Sequence, residues 1–360
     1  MITLCIPTKD RPELLARVLR YYRGQGARFQ VVIADSSLSP VADANQRLVD
    51  SLRSSLDLRY LRYEPEIHVA QKIARALEQV ETPYAALGAD DDFSVPAALD
   101  RAAGFLAAHP DYALAHGDAI LFHAPAAAAD NGGGPLVIRY PQRSVEQATG
   151  ALRLLDHLSH YALTFYSLHR TALLCDTWKV VSGLELDYAF VELLPSCLAI
   201  LQGKSKQLGG LYLARQGHAA QTSVTHLRDP LEWVADPSWA SQQARVRRVL
   251  AETLARQDGL AIEEAREVVK QAFWSCLAKT LTTKWDNRYG QRGIAARLRF
   301  RAMARRIPGL RSAWRAARAL LPGSHPAISL EALRRPSCAY HADFMPIYRV
   351  VTEGAVGGPA

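Results

Sequence analysis

The chain has few cysteines and no two of them close together. Its five, Cys5, Cys175, Cys197, Cys276 and Cys338, show no CxxC and no Cys/His spacing. That pattern argues against a zinc framework and fits a reducing cytoplasm. No apolar run approaches the ~20 residues a bilayer-spanning helix needs. The N-terminus meets Lys9, Asp10 and Arg11 too soon to read as a signal peptide. Gly132–Gly134 have no strand-to-helix glycine fingerprint and no following Gly-Lys-Ser/Thr, so they make no phosphate loop. A Ser-centred nucleophile elbow and internal repeats are missing as well. The expectation is a soluble, cytoplasmic chain.

What is present is ordinary in amount and uneven in placement. Apolar residues make up 49% and charged residues 22% of 360, enough for one large domain plus an appendage. Residues 1–230 carry 22 Lys/Arg against 24 Asp/Glu, whereas residues 231–360 carry 21 against 11. The net charge of +8 therefore belongs to the C-terminal third, which suggests two functional regions.

Short apolar runs at residues 3–6, 30–34, 58–63 and 84–87 read as strands. Between them, Leu14, Leu15, Val18, Leu19 and Tyr22, then residues 43–52, then Val69, Ile73, Ala76, Leu77 and Val80, recur at helical spacing. Asp10 three residues before Glu13 suggests a capping box. This alternation predicts an α/β fold with a doubly wound, mostly parallel central sheet flanked by helices. Ligands of such sheets sit outside the carboxyl ends of the strands. A helix from Pro96 to Ala108 follows, then strands at 112–115 and 119–122 and a low-complexity surface loop at 124–134. A helix over 144–158, a strand at 163–168, a helix over 188–201 and a last strand at 208–214 complete this part. Beyond Asp229 the β signals vanish, and helices are expected at 238–257, 262–282, 293–306 and 310–320. The domain reading is 1–228 plus a basic, mainly α-helical region 229–360.

The stretch that organises the chain is Tyr84-Ala85-Ala86-Leu87-Gly88-Ala89-Asp90-Asp91-Asp92-Phe93-Ser94-Val95-Pro96, a buried strand that breaks into three carboxylates. Three acids at a strand end repel one another and resist desolvation unless a cation neutralises them. Hard cations such as Mg²⁺ or Mn²⁺ suit oxygen ligands and share their shells with substrate phosphates. The alternative is a solvated acidic turn in which Asp92 or Ser94 caps the next helix.

Ile6-Pro7-Thr8-Lys9-Asp10-Arg11, Asp35 at the second strand's end and Asp90-Asp91-Asp92 together resemble the signature of bacterial family 2 glycosyltransferases, nucleotide-sugar enzymes of the GT-A fold. The resemblance covers residues 2–220. It implies that the turn containing Pro7, Thr8, Lys9 and Arg11, together with Asp35, holds the nucleoside, with Lys72 at the nucleotide. It implies a DxD-type motif in which Asp92 binds a divalent metal (Mn²⁺ or Mg²⁺) directly, Asp90 contacts metal or ribose, and Asp91 orients the loop. Family members carry a helical acidic base about eleven residues before a glycine; Glu192, eleven before Gly203, fits, with Asp187 and Glu185 as rivals. Departures from the family pattern are Gly88, where many members have an aspartate, and Val191 in the usual Glu-Asp pair. His218 would reach the metal or diphosphate, and Arg215 would clamp the diphosphate.

Between Lys284 and Arg318 lie eleven Lys/Arg and one acid, Asp286, interleaved with Trp285, Tyr289, Phe300 and Trp314. Such a basic amphipathic stretch suits an anionic membrane surface, here the inner face of the cell membrane, or a solvated helical face. No nucleic-acid module accompanies it. The resulting expectation is an inverting, metal-dependent glycosyltransferase acting on a glycan, lipid-linked or protein acceptor, with homo-oligomerisation left open. Its rivals are a non-catalytic nucleotide-binding or acceptor-docking relative and a nucleotidyltransferase.

Overall fold

The computed structural model describes residues 1–123, 136–218, 229–288 and 328–353. The expected loop at 124–134 and the helices at 293–306 and 310–320 lie outside the described residues. So does all of the basic stretch 284–318 beyond Arg288.

The first half alternates as expected. β1 (Ile2–Thr8), α1 (Pro12–Gly24), β2 (Gln30–Asp35), α2 (Ser39–Leu52), β3 (Leu58–Arg62), α3 (Val69–Leu77) and β4 (Tyr84–Leu87) build a parallel sheet in the order β3-β2-β1-β4. Side chains alternate between its two covered faces. Leu4, Ile6, Val31 and Ile33 enter one core; Cys5, Val32, Ala34 and Leu87 enter the other. Burial on both faces explains why these strands read as unbroken apolar runs. Pro7 is tolerated in β1 because β4 pairs only as far as Cys5, so its missing N–H falls beyond that ladder.

The capping box does not form. Pro12 opens α1 with Arg11 as an uncapped N-cap, and Asp10, at φ +55°, uses its carboxylate to accept from the Leu38 N–H. That contact ties the turn after β1 to the start of α2.

Beyond Gly88 the sheet becomes mixed. β5 (Asp92–Ser94) precedes α4 (Pro96–Ala108), then come β6 (Tyr112–His123), β7 (Leu136–Tyr140), α5 (Gly150–Ser159), β8 (Leu168–Arg170), α6 (Thr171–Ser182), α7 (Tyr188–Gln202) and β9 (Lys204–Gly217). β8 joins β4 and β6 antiparallel, while β9 runs parallel to β6 and antiparallel to β5. The two strands expected at 112–115 and 119–122 are one, kinked by register shifts around Gly117. A Cβ there would lie 2.8 Å from the Gly210 carbonyl oxygen, so only glycine permits β6 and β9 to approach so closely. The strand expected at 163–168 shrinks to Leu168–Arg170, and the helix expected from 144 begins at Gly150.

The C-terminal region comprises α8 (Pro230–Val234), α9 (Trp239–Asp258), α10 (Ile262–Arg288), β10 (Ile328–Ser329), α11 (Leu330–Leu333) and α12 (His341–Glu353). Val246, Leu250, Val269 and Phe273 of α9 and α10 join the core that holds α3, α6 and α7. Phe344, Ile347 and Val351 of α12 join the opposite core with Tyr21 and Phe122. β10 pairs with β7, a strand signal too short to read beyond Asp229. Among the described residues no helix is long and apolar enough to cross a membrane.

Candidate active site

A cavity of about 680 Å³ opens at the carboxyl ends of β1 and β4. It is lined from the strand ends and α3 by Pro7, Thr8, Lys9, Arg11, Ser36, Lys72, Asp90 and Asp91, from the segments before β8 and around the start of α7 by Phe165, Tyr166, Leu186, Asp187, Tyr188, Val191 and Glu192, and from β9 by Arg215. The structure therefore gathers most of the sequence-predicted residues, contributed by segments far apart in the chain, around one space.

Lys72 rises from α3 and donates from Nζ to the Thr8 carbonyl and to Ser36 Oγ, each at 2.8 Å. Burial pushes its ammonium down to about 8 against the pull of Asp35 and Asp90. Lys9 is pinned to the Pro65 carbonyl at 2.6 Å. Asp35 does not line the cavity. It is fully buried, and its carboxylate accepts from the Ser37 N–H (2.7 Å), Asn45 Nδ2 (2.7 Å) and the Tyr60 hydroxyl (2.6 Å). Its place is inside the wall, fixing the turn that presents Ser36.

The acid triplet is not a solvated turn: Asp90, Asp91 and Asp92 are 4%, 7% and 2% exposed, and Val95, not Asp92 or Ser94, is the N-cap of α4. Burial of three carboxylates requires compensation, and the chain's own cations provide it. Asp90 accepts from Thr8 Oγ1 at 2.7 Å and from Arg11 Nη1 at 3.2 Å. Arg11 also reaches Asp91 Oδ2 at 3.4 Å, and His218 Nε2 stands 2.9 Å from that same oxygen. Asp92 turns the other way, into β5. Both its oxygens accept from β9: one from Arg215 Nε at 2.9 Å, the other from the Gln216 N–H at 3.2 Å. Burial, reinforced by Asp91, pushes the Asp90 carboxyl up to about 6. Burial raises Asp92 too, while the Arg215 guanidinium pulls it back and is itself held charged by the pair.

On the far wall Glu192 lies on the first turns of α7 beside Tyr188, which hydrogen-bonds it. Burial raises its carboxyl above the ordinary glutamate value, and Arg215 moderates the rise. Asp187 is the N-cap of α7: Oδ1 accepts from the Phe190 N–H at 3.0 Å and Oδ2 from Trp233 Nε1 at 2.7 Å. With both oxygens so engaged, Asp187 is a helix cap that touches the cavity, and Glu185 is not among the cavity-lining residues. Arg215 is flanked by two aromatic rings, 5.4 Å from the Tyr140 centroid and 5.3 Å from that of Tyr166.

Several of these residues gave no local signal in the sequence. Phe165 and Tyr166 precede a three-residue strand, and Tyr188 reads as an ordinary apolar helix position. Only the long-range fold brings them to the cavity that Lys72 also lines. Ser36 and His68 had a weak signal, being adjacent to the end of a buried strand and the start of a helix.

As to metal ligands, no group of three or more His, Cys, Asp or Glu side chains converges on one point among the described residues. Asp91 and His218 do form a carboxylate–imidazole pair at 2.9 Å. Adjacent ligands of an octahedral ion stand about 2.9 Å apart, and Mg²⁺ sites commonly take one or two protein groups with phosphates completing the shell. Asp91 and His218 are thus close enough to share one ion in place of their hydrogen bond, whereas both Asp92 oxygens are already filled by β9.

No protein-family model matches the chain, and no curated protein matches its sequence. Solved structures match its fold. TarS 1–349 from S. aureus, crystallised with UDP-GlcNAc, superposes with a TM-score of 0.52 at 18% identity, covering 80% of this chain and 76% of that one. The mannosyltransferase PcManGT from Pyrobaculum calidifontis, in complex with GDP-Man and Mn²⁺, gives a TM-score of 0.43 at 14% identity, covering 86% and 82%. At such identities the likeness to TarS is one of fold: α/β, with a mixed central sheet flanked by helices.

Proposed function

We propose that this chain is a family 2-like glycosyltransferase that moves a sugar from a nucleotide-diphosphate donor to an acceptor hydroxyl, inverting the anomeric centre with Mg²⁺ or Mn²⁺ at the diphosphate. The observation that carries the reading is one cavity lined by Thr8, Arg11, Lys72, Asp90 and Asp91 from the strand ends and by a half-buried carboxylate, Glu192, from α7. TarS, whose fold it resembles, holds a nucleotide sugar.

Each wall has its task. Lys72 and Arg11 supply positive charge and N–H donors where a diphosphate lies at the strand ends. Asp91 and His218 would hold the metal, with Asp90 beside them. A bound divalent ion would neutralise charge on the departing diphosphate. Glu192, raised toward the range of a working base, accepts the acceptor's hydroxyl proton. The acceptor oxygen then bonds to the anomeric carbon from the face opposite the diphosphate. The old C–O bond breaks with its electron pair leaving on the diphosphate, which inverts the configuration. Asp35 positions Ser36 in place of holding the nucleoside, and Arg215 orders Asp92 and the aromatic wall. The basic stretch 284–318 supports peripheral docking on an anionic membrane, checked by flotation with anionic against neutral liposomes.

Two assays on one preparation test the reading. Nucleotide diphosphates and sugar nucleotides are screened by thermal shift with and without Mn²⁺, and release of nucleotide diphosphate from the best binder is followed. Mn²⁺-dependent binding with turnover is expected. Binding without turnover, with or without candidate acceptors, would instead favour the non-catalytic module, and no binding by any nucleotide would end the proposal.

A further inference from the structure

We propose that the wall around Glu192 is a stacking site for an uncharged sugar ring, so that the acceptor is a neutral glycan and not a phosphate-bearing or otherwise anionic polymer. The inference deepens the transferase reading and rests on its assignment of Glu192 as the base.

The two walls differ in chemistry. The cations Lys9, Arg11 and Lys72 come from the turn after β1 and from α3, at the strand ends. Around Glu192 the described lining is Phe165, Tyr166, Leu186, Tyr188 and Val191. Among the described lining residues the cation that acts on Glu192 is Arg215, which is paired with Asp92 at 2.9 Å and flanked by the rings of Tyr140 and Tyr166. The other carboxylate there, Asp187, is filled by Trp233 and the α7 backbone. An anionic acceptor would thus meet the charge of Glu192 with no uncommitted cation among the described residues of this wall. A neutral pyranose offers the opposite match: a C–H face that packs on aromatic rings, and hydroxyls that donate to a carboxylate.

The platform is also rigid. Phe165 is held edge-on by Tyr166, with centroids 5.0 Å apart at 71°, and by Trp178, 5.4 Å apart at 87°. Trp178 is itself fully buried on α6. A ring fixed from behind loses little freedom when a ligand packs on it.

The test uses the full chain on an array of neutral, phosphorylated, sulfated and carboxylated oligosaccharides, with hits confirmed by saturation-transfer NMR. Retention on neutral glycans is expected, with Phe165→Ala weakening the best of them about tenfold. Should Phe165→Ala fail to fold, Phe165→Leu makes the same comparison. Retention only on anionic glycans, retention on none, or neutral binding unchanged when the Phe165 ring is removed overturns the inference. Nucleotide-sugar turnover is measured in parallel: its absence alongside neutral-glycan binding defeats the transferase reading and leaves the stacking site standing, and the reverse result does the opposite.

Discussion

In the proposed reaction Glu192 is the base, and its environment sets a testable pH dependence. A general base acts in its ionised form, and burial holds this carboxyl above the ordinary glutamate value. Turnover should therefore fall away on the acid side at a pH above that value, with no such limb left in Glu192→Gln. That variant should keep donor affinity and lose about 10²–10⁴ in kcat; near-normal kcat would remove Glu192 from the role. Asp92 calls for a different expectation. Its partner Arg215 is mostly shielded beside it, so Asp92→Ala leaves a guanidinium short of its carboxylate and should cost about 3 kcal/mol in urea unfolding. An unchanged unfolding midpoint would show that the pair contributes nothing. His169 is a third case. Burial pushes its imidazole down from 6.5 to about 4, with its Nε2 beside the Thr164 carbonyl. Between those values the unfolded chain takes the proton first, so the residue's contribution to stability is lost as pH falls through this window. The raised Asp90 carboxyl works in the opposite sense, so the comparison must be made between variants. His169→Gln should reduce the loss of stability between pH 7 and pH 5 by about 2 kcal/mol relative to wild type.

At the scale of elements, the helix that carries Glu192 is held from behind by a buried cation. Arg153 on α5 donates from Nε to the Ile200 carbonyl and from Nη2 to that of Leu201, at 2.8 and 2.9 Å. These are last-turn carbonyls of α7, which lack helical partners of their own. Its Nη1 reaches Gln147 and Ala148. The start of α5 is fixed in turn by Asp258 at the end of α9, whose two oxygens accept from the Gly150 and Ala151 N–H groups at 2.8 Å each. A line of side-chain-to-backbone contacts thus joins the C-terminal helices to the last turn of α7, the helix that carries Glu192. Asp258→Ala removes an acidic helix cap and should cost about 1–2 kcal/mol, read by thermal or urea unfolding. Because α5 alone intervenes, kcat should fall more than donor affinity in the same variant. A stability loss with kcat untouched would make the contact purely structural.

For the whole molecule, the question is whether residues after 328 belong to the fold. Phe344 of α12 is fully buried and meets Phe122 of β6 edge-on, with centroids 5.1 Å apart. Tyr340 donates to Asp118 Oδ2 at 2.7 Å and accepts from Arg139, so one residue ties β6 and β7 to the segment entering α12. Phe344→Ala should cost about 3–5 kcal/mol, the price of emptying a closed aromatic site. A melting curve that matches wild type would mean that α12 only rests on the surface.

The sequence by itself determined the N-terminal architecture and the lip of the site. Strands buried on both faces must be continuously apolar, and β1, β2 and β4 show themselves within a residue or two; Pro96 and Gly203 mark α4 and the end of α7 as sharply. Pro7, Thr8, Lys9, Arg11, Asp90 and Asp91 were readable because their position at strand ends is a local property. Tertiary structure alone decided what each acid does. Whether Asp92 faces a cavity or Arg215 depends on β5 pairing with β9, over a hundred residues along the chain. Whether Asp35 meets a ligand or Asn45 and Tyr60 depends on how α2 and β3 close behind it. A carboxylate carries its charge in the sequence, but its partner is chosen by contacts that no local pattern encodes.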